Sequence, residues 1–225
     1  MTLIKRLPGP FHACSKLFEL IHQQDWDDVL FRLEIHPKEA SQWENVGFDG
    51  EHETRLLPFH QACTLNAPLR VIEMLLNAYP EATHKKDLYF HRLPLHFACI
   101  NCASPEVIRM LVTSYPDGAK VQDSLGRVPL HYAVFSHDSA EIIECLNEAF
   151  PDGPQVMDYK GWIPLHVACR HGSAANVLTA ILKAYPRGVN NRTYGGMTPY
   201  ECALKFHVLT DECVDILRNW TEKAK

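Results

Sequence analysis

Three strings in the sequence pair a histidine with a cysteine three residues on: His60-x-x-Cys63, His96-x-x-Cys99 and His166-x-x-Cys169. Cys102 extends the second to His96-x-x-Cys99-x-x-Cys102. On a helix this spacing puts both side chains near one face. Imidazole and thiolate are zinc donors, and a thiol beside a base is the start of a nucleophilic site. A zinc site, however, needs four ligands within about 2.0–2.3 Å of one ion. Matching pairs on successive packed helices would lie about 8–10 Å apart. Only His96, Cys99 and Cys102 could converge, and recurrence already accounts for two of those three. An active site is needed once, whereas this pair recurs. A Gly-rich phosphate loop, a G-x-S-x-G string and an H-E-x-x-H string are all lacking. The expectation is therefore packing histidines and cysteines, with no catalytic residue, no metal and no cofactor. A metal- or thiol-dependent enzyme is the weaker alternative.

The elements that must position these side chains are marked by proline. Pro58, Pro94, Pro129, Pro164 and Pro199 are separated by 36, 35, 35 and 35 residues. They open Leu57-Pro58-Phe59-His60-Gln61-Ala62-Cys63, Leu93-Pro94-Leu95-His96-Phe97-Ala98-Cys99, Val128-Pro129-Leu130-His131-Tyr132-Ala133-Val134 and Ile163-Pro164-Leu165-His166-Val167-Ala168-Cys169. A degenerate member, Thr198-Pro199-Tyr200-Glu201-Cys202-Ala203, follows. A second series keeps step at Tyr79-Pro80, Tyr115-Pro116, Phe150-Pro151 and Tyr185-Pro186. Asp123-Ser124-Leu125-Gly126, Asp158-Tyr159-Lys160-Gly161 and Thr193-Tyr194-Gly195-Gly196 form a third. Proline suits the first position of a helix, where its missing N–H has no partner to lose. A first helix, helix A, is expected from each marker proline. A second, helix B, follows on the apolar stripes Val71-Ile72-Leu75-Leu76, Val107-Ile108-Leu111-Val112, Ile142-Ile143-Leu146 and Val177-Leu178-Ile181-Leu182. Ser104 and the Asp138-Ser139 pair are expected helix caps. The second proline stops helix B, and Asp-x-x-Gly turns the chain into the next repeat. No segment reads as a strand of a larger sheet. Two short helices cannot bury their apolar faces alone, so repeats must stack.

Residues 16–21 with 25–33, and 210–218, supply atypical helices at the two ends, for six helix pairs in all. One domain is expected over 15–225, with a cap at 15–43, repeats starting near 57, 93, 128 and 163, and a capping repeat at 198–225. Residues 1–14 are read as an N-terminal extension and a candidate for disorder. In the last repeat Thr198 and Glu201 have the spacing of a capping box. In the others the cap position is apolar and histidine stands third. Neutral His60, His96, His131 and His166 are expected to accept from backbone donors there, with the array loosening as pH falls past about 6.5.

The Pro-Leu-His-x-Ala strings, with two helices and a turn per repeat, resemble the ankyrin-repeat family over roughly residues 15–225. The resemblance implies an all-α solenoid of stacked helix pairs. It also implies a non-catalytic protein-interaction scaffold whose turn tips and helix A line a concave surface. In that pattern Tyr89, Arg92, Leu125, Arg127, Tyr159, Trp162, Tyr194 and Met197 of the turns, and Phe135 and Arg170 near the ends of helix A, face the partner. Aromatic, Met and Arg side chains are the types enriched at interface hot spots. An acidic or apolar peptide would suit them, and replacing Tyr159 and Trp162 by Ala is expected to abolish binding without unfolding. A second alternative is a reader of a modified ligand, which needs three aromatics converging in a cage.

Composition agrees. In 225 residues, 46% are hydrophobic and 22 Lys+Arg stand against 27 Asp+Glu, a net charge of −5. That excludes a wholly disordered chain and is a poor match to nucleic acid, where phosphate neutralisation dominates. No apolar run approaches the ~18 residues of a membrane span. The eight cysteines, without a secretory signal, read as free thiols in the cytoplasm or nucleus. The expected partner is a protein or peptide of unknown identity, with no nucleic acid and no membrane, and the chain is expected to be a monomer.

Overall fold

The structure, a computed structural model, describes residues 14–47 and 53–223. Apart from Cys14, the expected N-terminal extension lies outside the described residues. The chain forms two compact units, Met1–Gly118 and Ala119–Lys225.

In the first unit the helices are α1 (Lys16–Gln23), α2 (Trp26–Ile35), α3 (Pro58–Thr64), α4 (Leu69–Ala78), α5 (Pro94–Ile100) and α6 (Pro105–Ser114). α1, α3 and α5 pack in series, and α2, α4 and α6 form a second layer beside them. The second unit repeats the plan with α7 (Pro129–Ser136), α8 (Ala140–Ala149), α9 (Pro164–His171), α10 (Ala175–Ala184), α11 (Pro199–Phe206) and α12 (Asp211–Lys223). There α7, α9 and α11 make one layer and α8, α10 and α12 the other. The fold is the expected all-α stack of helix pairs.

Every helix A in the strings starts at its marker proline. In α3, α5, α7 and α9 most residues are buried, in α3 all of them, whereas α11 buries only Pro199, Cys202 and Ala203. Helix B buries a single stripe, Val71, Ile72 and Leu75 in α4 and Ile142, Ile143 and Leu146 in α8. Helix B stops one residue before the aromatic of each aromatic–proline pair. At three of the four pairs the second proline then opens a 3-10 turn, as at Pro80–His84, Pro116–Lys120 and Pro186–Asn190. In that turn the N–H of Gly188 donates to the Tyr185 carbonyl at 3.0 Å. A Cβ on Gly188 would stand 2.8 Å from the Tyr185 ring, so the small residue lets the aromatic fold back.

Two expectations are corrected. Ser104 caps α6 through its hydroxyl, at 3.5 Å from the Val107 nitrogen. Ser139, in the corresponding place before α8, makes no such bond, because its φ of −108° and ψ of 116° depart from the cap geometry of Ser104. The long linker before α3 contains an antiparallel hairpin, β1 (Glu44–Gly47) with β2 (Glu53–Leu56), where only a linker was expected. Its four-residue strands alternate buried and exposed residues too briefly to register as a pattern.

The marker histidines lock the repeats. The Nδ1 atoms of His60, His96, His131 and His166 accept from the backbone N–H of Leu57, Leu93, Val128 and Ile163 at 3.1, 3.1, 3.3 and 3.3 Å. An accepting Nδ1 puts the proton on Nε2. That proton is donated to the carbonyl of Lys85 by His60 (2.9 Å), of Trp162 by His131 (3.0 Å) and of Met197 by His166 (3.1 Å). One ring thus caps its own helix and ties it to the following turn. Burial, only partly offset by the hydrogen bond to the carbonyl, pushes His60 and His131 down to about 4. The expectation of loosening past about 6.5 is corrected in its cause: the folded His60 and His131 rings hold out to about pH 4, and protons taken up by the unfolded chain drive the loss.

Candidate functional site

The turns that precede α5, α7 and α9 are each built by one buried carboxylate, Asp87, Asp123 or Asp158. Asp123 Oδ1 accepts from the N–H groups of Leu125 (2.8 Å) and Arg127 (3.0 Å), while Oδ2 accepts the Tyr132 hydroxyl at 2.5 Å. Asp158 Oδ1 accepts from Lys160 (2.8 Å) and Trp162 (3.0 Å), and its Oδ2 takes Arg127 Nε at 3.0 Å. In the last turn the Thr193 hydroxyl does a reduced version of the job, accepting from Met197 at 3.2 Å. The first turn, Asp87 to Arg92, is one residue longer than Asp123 to Arg127, and this is where the 36-residue step arises. Its left-handed position is held by His91 at φ +54°, where the later turns have Gly126 at +77° and Gly161 at +73°.

Within the second unit successive turns hydrogen-bond in a ladder. Tyr159 N–H donates to the Leu125 carbonyl at 3.0 Å and Tyr194 N–H to the Lys160 carbonyl at 3.1 Å. The Tyr159 ring lies over Gly126 and the Tyr194 ring over Gly161, with room for no Cβ on either glycine. Even so, Leu125, Tyr159 and Tyr194 leave 45%, 70% and 76% of their surface exposed. Rigid backbone thus presents a row of large apolar side chains to solvent.

The remaining expected residues divide. Arg170 is exposed, with its guanidinium 5.2 Å from the Trp162 ring centre and 4.8 Å from that of Phe206, and Lys205 reaches over Phe206 at 5.9 Å. Phe135, half-buried, meets the His171 ring at 4.8 Å. Arg127 is partly buried on Asp158 and Tyr132, and Met197 is half-buried. In the first unit Tyr89 is exposed and packs edge-on to Phe90 at 4.8 Å, but Arg92 is buried over Phe90. Trp162 exposes only 8% of its surface. The expectation that Trp162 can be removed without unfolding is therefore corrected: its buried ring packs under Arg170 and Phe206, contacts that alanine loses. Phe206, Lys205 and His171 complete the aromatic and basic cluster. Their signal in the sequence was their place at the end of helix A.

The rival chemistries can be placed too. The aromatic pair Trp162 and Phe206 already holds the chain's own Arg170. Among the described residues, no three His, Cys, Asp or Glu side chains gather as a metal set. Cys99 is buried while Cys102 is exposed, and His96 spends Nδ1 on its helix cap. All eight cysteines are free thiols. Burial pushes Cys63 and Cys169 far up, the reverse of an activated thiolate.

Residues 59–153 match the family model described as ankyrin repeats (3 copies). No curated protein matches the chain. Among the described residues, no helix is long and apolar enough to cross a membrane.

Proposed function

Because residues 59–153 match the ankyrin-repeat family, whose members are typically non-catalytic protein-interaction modules, we propose that the chain is a non-catalytic, monomeric scaffold. It takes a partner protein or peptide on the face made by its turn tips and helix A. The observation that carries this reading is the exposed row of Leu125, Tyr159 and Tyr194 on a hydrogen-bonded ladder. Exposed apolar rows on rigid elements mark interaction sites, because binding then costs little ordering entropy. Arg170, packed beside both the Trp162 and the Phe206 ring, adds a preorganised donor of the kind found at hot spots.

The test is affinity capture from the native source with the wild-type chain and with a Leu125→Ala/Tyr159→Ala/Tyr194→Ala variant. All three side chains are exposed, so circular dichroism should be unchanged. Partners retained by wild type should weaken about tenfold or more on the variant, as loss of hot-spot aromatics implies. A Glu144→Ala control on α8 should keep them. Equal retention by the triple variant would reject this face.

A further inference from the structure

The second unit separates its charges between its two layers. On the turn and helix A side stand Lys160, Arg170, Arg192 and Lys205, all exposed. The carboxylates there are consumed: Asp123 and Asp158 are buried in their turns, and Glu201 is held by the Thr198 N–H and Arg192. Among the described residues, no carboxylate is within ion-pairing distance of Arg170, Lys160 or Lys205. The helix B layer leans the other way: Glu141, Glu144 and Glu148 along α8, with Asp211, Glu212, Asp215 and Glu222 on α12, outnumber its exposed cations Lys183, Arg218 and Lys223. The basic field is felt locally at His171. Desolvation first, then the guanidinium groups of Arg170 and Arg127, hold its imidazole below the ordinary value.

We propose that the occupant of this face is an acidic peptide segment, with apolar side chains set between its carboxylates. The inference rests on the binding face argued under Proposed function and adds the chemistry of its partner. Arg170 is a preordered fork for a carboxylate, since its guanidinium packs on the Trp162 and Phe206 rings while the residue stays exposed. Lys160 and Lys205 flank it as point charges, and Leu125, Tyr159 and Tyr194 take the apolar side chains. Complementary charge steers such a segment to this layer and repels it from α8. A nucleic acid shares the negative charge but leaves Leu125 unused, and it needs a longer basic track than four side chains supply.

The experiment is panning of an unbiased peptide phage library on the full chain, followed by anisotropy titration of the enriched peptides, fluorescein-labelled. Enriched peptides should be rich in Asp and Glu. Their binding should weaken tenfold or more on Lys160→Glu/Lys205→Glu, both exposed and outside the packed core, and also on Arg170→Glu. Binding should also weaken as salt rises from about 0.05 to about 0.5 M. Peptides that depend on Tyr159 and Tyr194 but carry no acidic bias, or ignore the charge reversals, would overturn the acidic partner and leave the binding face standing. Peptides indifferent to Tyr159, Tyr194 and the charge reversals, or no enrichment at all, would overturn both. An oligothymidylate probe that binds more tightly than the best peptide would also overturn the proposal, in favour of nucleic acid.

Discussion

The start of α7 and the start of α11 solve the same problem with different chemistry. Each must satisfy the N–H of its cap residue. At α7 a buried imidazole does it, His131 Nδ1 taking the Val128 N–H at 3.3 Å. At α11 an exposed carboxylate does it, Glu201 taking the Thr198 N–H at 2.7 Å while the Thr198 hydroxyl takes the Glu201 N–H at 3.2 Å. The difference follows from what lies beyond. After α7 comes another turn, and His131 uses its second nitrogen to hold the Trp162 carbonyl. After α11 the described chain passes into α12, and Glu201, with no turn carbonyl to hold, serves one function and faces solvent. Histidine at this position therefore joins repeat to repeat, whereas Glu201 serves its own helix alone.

The largest expected effect separates the two caps by pH. An unfolded histidine takes its proton near 6.5, whereas His60 and His131 in the fold do so only near 4. Between those values the unfolded state binds more protons. Stability is therefore complete above about pH 6.5 and is lost as pH falls towards about 4. Each ring is worth roughly 3 kcal/mol over that window, a large share of the ~5–15 kcal/mol of an ordinary domain. Urea unfolding at pH 7.5 and pH 5 should show a clear fall in midpoint; equal midpoints would break the comparison. Glu201, held below the ordinary carboxylate value by the Thr198 N–H, contributes in the other range. Its share is complete above the unfolded carboxylate value and fades as pH falls through its folded one. Next in size is His131→Ala, which strands the Val128 N–H and the Trp162 carbonyl and opens a cavity. About 2–4 kcal/mol should be lost at pH 7.5, with a shallower pH dependence, both read by urea unfolding.

Much of this was legible because it recurs. The marker prolines start α3, α5, α7, α9 and α11, and the histidine's accepting nitrogen follows from an apolar residue at the cap. The second bond of each ring was not legible. Lys85, Trp162 and Met197 offer carbonyls, which every residue has, so no side-chain type announces them. Burial of Trp162 was hidden for a related reason: an aromatic at a turn tip reads the same whether it points out, as Tyr159 does, or under a neighbouring helix end. Arg170 and Phe206 settle that, and they lie 8 and 44 residues away along the chain. The hairpin was too short to show a period, and the 35-residue step carries no sign of the boundary after Gly118 between the two compact units.

The smallest effect belongs to the terminal cap. Thr198→Ala removes one hydroxyl acceptor from a partly exposed helix start and leaves Glu201 in place. Water can reach the freed N–H, so the expected loss is about 1 kcal/mol, the ordinary worth of a threonine cap. Glu201→Gln should cost less again, because the amide oxygen can still accept the Thr198 N–H. What it removes is the charge, and with it the acid sensitivity below the ordinary carboxylate value. Chemical unfolding of both variants beside His131→Ala would sharpen the contrast between a cap that only ends a helix and one that also binds the next turn. If Thr198→Ala cost as much as His131→Ala, the second nitrogen of histidine would have no separate worth, and the join between repeats would have to be credited to apolar packing alone.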